Sequence, residues 1–156
     1  MVKEELMGSA RNWVLREAGC ATIVDLGKLN DKEQYPSLIG LGSYGKSVAV
    51  EVIPCLEKYL KEWKAGKFLA PRKGVGKFRF ICVPVDLISR EELPKNWGLL
   101  YAGADGQITS PHNPYCPKRG NVWRNGFDDH GMDDLLRLVE SHDHSFKNLQ
   151  YKSLLH

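Results

Sequence analysis

Residues 46–63, KSVAVEVIPCLEKYLKEW, decide the fold. The first half is an apolar run, KSVAVEVI, that carries a single acid, Glu51, and ends at Pro54. Its length, its β-branched residues and its Pro stop make it a strand. The second half places Leu56, Tyr59, Leu60 and Trp63 at i, i+3, i+4 and i+7 before Gly66, a helix with one apolar face and a lysine-rich surface. A strand buried enough to be this apolar has little room for a carboxylate, so Glu51 needs a reason.

Working outward, the segment SLIGLGSY (37–44) is a second apolar run, and the two pair as a hairpin across Gly45. Upstream, residues 3–18 put Leu6, Ala10, Trp13, Val14 and Ala18 at helical spacing with Gly19 as the stop, and Cys20–Leu26 reads as a first strand. Downstream, KFRFICVP is a strand, and ISREELP is a short helix capped by Ser89. WGLLYAG and GQIT form a hairpin around Ala104-Asp105-Gly106, residues 110–130 make a loop, and a last helix spans Met132 to Ser141. The order predicts an α/β fold, a single domain over residues 1–144 with a mixed β-sheet and flanking helices, followed by a tail over residues 145–156.

The chain has 156 residues, 42% of them hydrophobic, which suits one core. No apolar run approaches the roughly 20 residues that span a bilayer, and the first residues lack a basic head followed by an apolar block, so no membrane role and a cytoplasmic location are expected. Cys20, Cys55, Cys82 and Cys116 lie far apart, which favours reduced thiols.

Four stretches together, Tyr35-Pro36-Ser37-Leu38-Ile39-Gly40, Val48-Ala49-Val50-Glu51-Val52, Phe78–Pro84 and Glu91–Tyr101 with its ELPKNWGLLY text, resemble the PD-(D/E)XK nuclease superfamily, the restriction-endonuclease-like fold, in its small phage and bacterial form. That resemblance implies an active site on the hairpin, where a Pro-Asp on one strand and a Glu-x-Lys on the next would hold Mg²⁺ or Mn²⁺ against a phosphodiester. The motif is broken here. Pro36 is followed by Ser37 instead of Asp, and Glu51 is followed two residues on by Ile53 instead of Lys. Loss of one preorganised group costs on the order of 10²–10³ in rate, and two are missing. The candidate catalytic set is therefore Glu51, which would also be the metal ligand, with Ser37 and with Lys58, a lysine relocated onto the following helix. Asp25, or Glu5 on the first helix, would stand in for the lost acid.

Between Glu57 and Arg79 eight cations face two acids, a local charge of +6 against +3 for the whole chain. Lys58, Lys61, Lys64, Arg72 and Lys73 are the candidate phosphate contacts, and the loop NPYCPKRGNVWRNG adds Lys118, Arg119 and Arg124 beside Tyr115 and Trp123, rings able to stack on bases or, equally, to pack back on the domain. His112 and Cys116, with His130 and His142-Asp143-His144, raise zinc, although no close pair of thiols accompanies them. The expected function is a nuclease-like domain with a degenerate site that binds nucleic acid, DNA ahead of RNA, or a protein of nucleic-acid metabolism, with no cofactor. An active Mg²⁺- or Mn²⁺-dependent nuclease is the alternative enzyme reading. The other alternative is a protein-interaction accessory factor whose basic patch meets an acidic surface.

Overall fold

The computed structural model describes residues 1–26, 35–68, 74–120 and 122–142. The two halves of the deciding stretch become β3 (Ser47–Val52) and α2 (Leu56–Lys64), preceded by α1 (Lys3–Arg16), β1 (Thr22–Asp25) and β2 (Leu38–Leu41) and followed by β4 (Phe78–Pro84), β5 (Gly98–Ala102), β6 (Ile108–His112) and α3 (Met132–His142). The strands form one six-stranded sheet in the order β1-β2-β3-β4-β5-β6. β1, β2 and β3 run as an antiparallel meander, β4 and β5 join parallel, and β6 returns antiparallel. The predicted hairpin is present, with Leu38 opposite Val50 and Leu41 opposite Ser47. Ser89 and Glu92 form a reciprocal capping box on the 3-10 turn Arg90–Glu92.

β3 is buried along its whole length because both faces of the central sheet are covered, the reason it reads as an unbroken apolar run. Val48, Val50 and Val52 face α1 in a cluster with Leu6, Ala10, Val14, Phe80 and Cys82. Ala49 and Ile53 face the other side. Ala49 packs under α3 with Ile39, Leu135 and Leu136, and Ile53 under α2 with Tyr59, Phe68, Ile81 and Trp97. Glu51 lies between these last two along the strand. Gly40 is dictated by the packing of α1 on β2, since a Cβ there would stand 2.3 Å from Cγ1 of Val14.

One expectation is corrected, and one open alternative is decided. On α2 the buried residues are Tyr59 and Glu62, with Trp63 half-buried, whereas Leu56 and Leu60 are 42% and 51% exposed. The helix is rotated from its apolar stripe because the rings of Tyr59, Trp63 and Phe68 pack on one another and carry Glu62 inward with them. In the loop after β6, Tyr115 is buried and Trp123 half-buried. Trp123 stacks on Trp13 with centroids 6.0 Å apart, and the Tyr115 hydroxyl accepts the Arg79 backbone N–H at 3.0 Å. These rings belong to the core and offer bases no platform. No described helix is long and apolar enough to cross a membrane. The tail, residues 145–156, lies outside the described residues.

Candidate functional site

The register that sets Leu38 against Val50 carries on past the end of β2 to bring Ser37 beside Glu51. At that end of the sheet, β1 finishes at Asp25, α1 begins, and α2 crosses above. The result is a cleft of about 340 Å³ lined by residues of α1, β1, β3 and α2, among them Ser37, Glu51, Lys58, Glu62 and Lys67. Three residues that the sequence singles out far apart in the chain, Ser37, Glu51 and Lys58, thus meet in one place. Asp25 lines the same cleft; on α1 it is Glu4 that does so, while Glu5 is exposed elsewhere.

Glu51 is 3% exposed, and its Oε1 accepts from the Lys67 ammonium at 2.7 Å. Lys67 also stands 3.5 Å from the Glu62 carboxylate, which is itself 4% exposed. Local structure explains the reach. α2 ends at Lys64, Gly66 takes a left-handed φ of 75°, and the Lys67 N–H bonds back to the Glu62 carbonyl at 3.2 Å, so the chain reverses and its lysine points inward. Burial pushes the Glu51 carboxyl up to about 7, against the opposing pull of Lys67, with Glu62 adding to the rise. The Ser37 hydroxyl is engaged as well, accepting from the Val52 N–H at 2.9 Å. At the mouth, Arg11 pairs with Asp25 at 2.5 Å, both 44% exposed.

The basic stretch divides. Lys58 is half-buried in the cleft wall, and Lys61 and Lys64 are exposed on α2. Lys67 is committed to the two glutamates. Arg79 is 2% exposed, donating to the Gly76 and Asp128 carbonyls and lying 4.0 Å from the Phe127 ring, so it holds the loop instead of meeting solvent. Arg72 and Lys73 lie outside the described residues. Lys118, Arg119 and Arg124 are exposed, but their loop is anchored at the start of the parallel strands, by Trp123 against Lys46 and by the Phe127 N–H on the Lys77 carbonyl. Five residue steps along the chain separate Lys46 from Glu51, roughly 16 Å in extended strand, and these cations do not line the cleft.

The residues do not fit a divalent ion. Among the described residues no three of His, Cys, Asp and Glu converge as a ligand set. The Glu51 carboxylate already holds an ammonium, and Ile53, where the resemblance puts a lysine, is wholly buried beneath α2. His112 and Cys116 likewise gain no third ligand among the described residues, and Asp143 and His144 lie outside them.

Sequence reasoning missed Lys67 and Glu62 as partners of Glu51, and Glu4 and Arg11 as cleft residues. For Lys67 a signal existed in EWKAGK, where a glycine stop one residue before a lysine allows that side chain to fold back on the helix it leaves.

No family model matches the chain, and no curated protein does. Among solved structures the fold is similar to that of SPO1766, a protein of unknown function from Silicibacter pomeroyi, with a TM-score of 0.53 over 96% of this chain and 97% of that one at 14% sequence identity. At that identity the likeness speaks for the α/β fold alone.

Proposed function

We propose that the cleft end of α2 binds the phosphate backbone of nucleic acid, DNA ahead of RNA, on a restriction-endonuclease-like core that has given up metal-dependent hydrolysis. One observation carries this reading: the Ser37, Glu51 and Lys58 positions, chosen from sequence for a nuclease site, line one cleft, and the cation seated on Glu51 there is a lysine of the chain itself. The αβββαβ order of elements from α1 to β4 is in keeping with such a core. Phosphate binding needs cations at a surface, and α2 supplies the exposed Lys61 and Lys64 with Lys58 half-buried at the cleft wall beside them. Hydrolysis needs carboxylates open to a metal, and Glu51 is closed to one by its ion pair.

The test is a titration of labelled oligonucleotides without divalent ions at low and physiological salt. Each phosphate neutralised contributes a log-log salt slope of about −0.7 to −0.9, and Lys61→Glu with Lys64→Glu weakens binding to unrelated sequences by similar factors, because phosphate contacts position without specifying. Absence of binding at low salt removes this reading and leaves an acidic protein surface as the partner for α2. The hydrolytic alternative, a Mg²⁺- or Mn²⁺-dependent nuclease using Glu51, a surrogate acid and Lys58, draws on the presence of Glu4, Asp25, Glu51 and Glu62 in a single cleft. It predicts cleavage that vanishes in Glu51→Ala.

A further inference from the structure

We infer that the tip of the β2–β3 hairpin is a second binding surface, which takes single-stranded nucleic acid by stacking an unpaired base on the Tyr44 ring. Lys77 and Arg124 would meet the phosphates on either side of that base. The surface lies at the other end of β3 from Glu51 and uses neither α2 nor the buried carboxylates, so it goes beyond the cleft reading.

Folding alone does not account for Tyr44. It sits in the 3-10 turn Ser43–Gly45, closed by the Lys46 N–H on the Ser43 carbonyl at 3.2 Å. Tyr44 and Gly45 have φ of 58° and 74°, both in the left-handed region. Tight hairpin turns of this hand are usually filled by Asn-Gly or Asp-Gly, because a bulky side chain there is strained. Gly45 follows that rule and Tyr44 breaks it. No packing offsets the strain, since the ring is 91% exposed. A strained residue that presents a large ring to solvent is the kind of outlier from which a function is argued.

The surroundings say what the ring meets. Residues 35–50, 74–85 and 106–127 contain no acid, and together they carry Lys46, Lys77, Arg79, Lys118, Arg119 and Arg124. Contacts draw the three stretches together at this end of the sheet: the Lys77 N–H donates to the Ser47 hydroxyl at 2.9 Å, and the Phe127 N–H to the Lys77 carbonyl at 2.7 Å. Lys46 and Arg79 are committed to structure, Lys46 donating to the Ala18 carbonyl with its ammonium over the Trp123 ring. The Lys77 ammonium lies against the turn, where a Cβ on Gly45 would stand 3.4 Å from it. Arg124 follows Trp123 in the chain and is exposed, and Lys118 and Arg119 extend the same loop. Acids stand at the margin: Asp129 accepts from the Ser47 hydroxyl at 3.0 Å, Asp128 precedes it, and Glu17 adjoins Ala18. An exposed ring flanked by cations matches an unpaired base between its phosphates, whereas a duplex turns its bases inward. An acidic protein surface would engage the cations and leave the ring unused.

Tyr44→Asn is the test, because asparagine suits the turn and removes the ring. The probes are a labelled oligothymidine and an abasic strand of the same length, at low salt. They are titrated into the natural protein and into Lys61→Glu with Lys64→Glu, each with and without Tyr44→Asn. Expected is a loss of about 5- to 150-fold in oligothymidine affinity on either background, the range for one stacked base, with no loss on the abasic strand. Tyr44→Phe should keep the affinity, and Arg124→Ala should lower the log-log salt slope by about 0.7. Tyr44→Asn should melt no lower than the natural protein, as relief of strain requires. Equal oligothymidine affinity with and without the ring, an equal loss on the abasic strand, no binding of oligothymidine, or a lower melting temperature in Tyr44→Asn overturns the inference. The Tyr44 ratio is read with α2 reversed in charge as well as intact, so failure here is separable from failure of the cleft reading.

Discussion

Glu51→Gln isolates the electrostatic cost of the buried acid. In the fold its carboxyl is raised from 4.5 to about 7, with burial the largest cause. Between those values the folded chain keeps a proton that the unfolded chain has released. Stability contributed by Glu51 is therefore fully present below pH 4.5 and is withdrawn as the pH rises through 7. At roughly 1.4 kcal/mol per pH unit, the shift corresponds to on the order of 3 kcal/mol, or about 6–12 °C in melting temperature for a chain of this size. The amide introduced by Glu51→Gln has no such titration and leaves Lys67 its second partner, Glu62. Urea unfolding of both proteins from pH 4.5 to 8, taken as a difference, cancels the histidines and the carboxylates away from Glu51 and reads Glu51 together with its coupled neighbour Glu62. The natural protein should lose stability relative to Glu51→Gln across the window and level off above it. A flat difference, or one in which the natural protein gains on the variant as pH rises, would refute the reasoning and mean that Lys67 keeps Glu51 ionised throughout.

The rotated face of α2 predicts opposite outcomes at neighbouring residues: Tyr59→Ala should cost about 3–5 kcal/mol, as large aromatic truncations in cores do, while Leu60→Lys stays within about 0.5 kcal/mol. Chemical denaturation of the two variants decides between this face and the one the apolar spacing implies. Tyr115→Phe leaves the buried Arg79 N–H without its acceptor and should cost about 1–3 kcal/mol by the same assay, with no change in nucleic-acid affinity if this ring is structural.

The central hairpin was readable because its physics is local: two apolar runs of strand length, a glycine turn and a proline stop leave one pairing, and Leu38 does face Val50. The face of α2 was not readable, because periodicity ranks residues by hydrophobicity and has no way to credit an acid that is buried on an ion pair. Leu56 and Leu60 completed the apolar stripe, whereas the structure places Glu62 inside through Lys67. Charge counting failed in a similar manner for Lys67 and Arg79. Both raised the apparent basic patch, yet one is spent on two carboxylates and the other on backbone carbonyls and the Phe127 ring. Ser37 and Glu51 were singled out together by the resemblance to the nuclease motif, and the antiparallel register of the hairpin is what sets them side by side. Lys67 was not: the glycine stop in EWKAGK allows its side chain to fold back on α2, but nothing in that stretch says that α2 lies over Glu51.

The most direct measurement of the central claim reads binding and cleavage on one sample: a labelled DNA duplex titrated with the natural protein at low salt, first in EDTA and then in excess Mn²⁺, each reaction run on native and denaturing gels. Expected are a retarded duplex in both conditions and full-length strands after denaturation in both. Strands cut only in Mn²⁺, and left whole by Glu51→Ala, would contradict it.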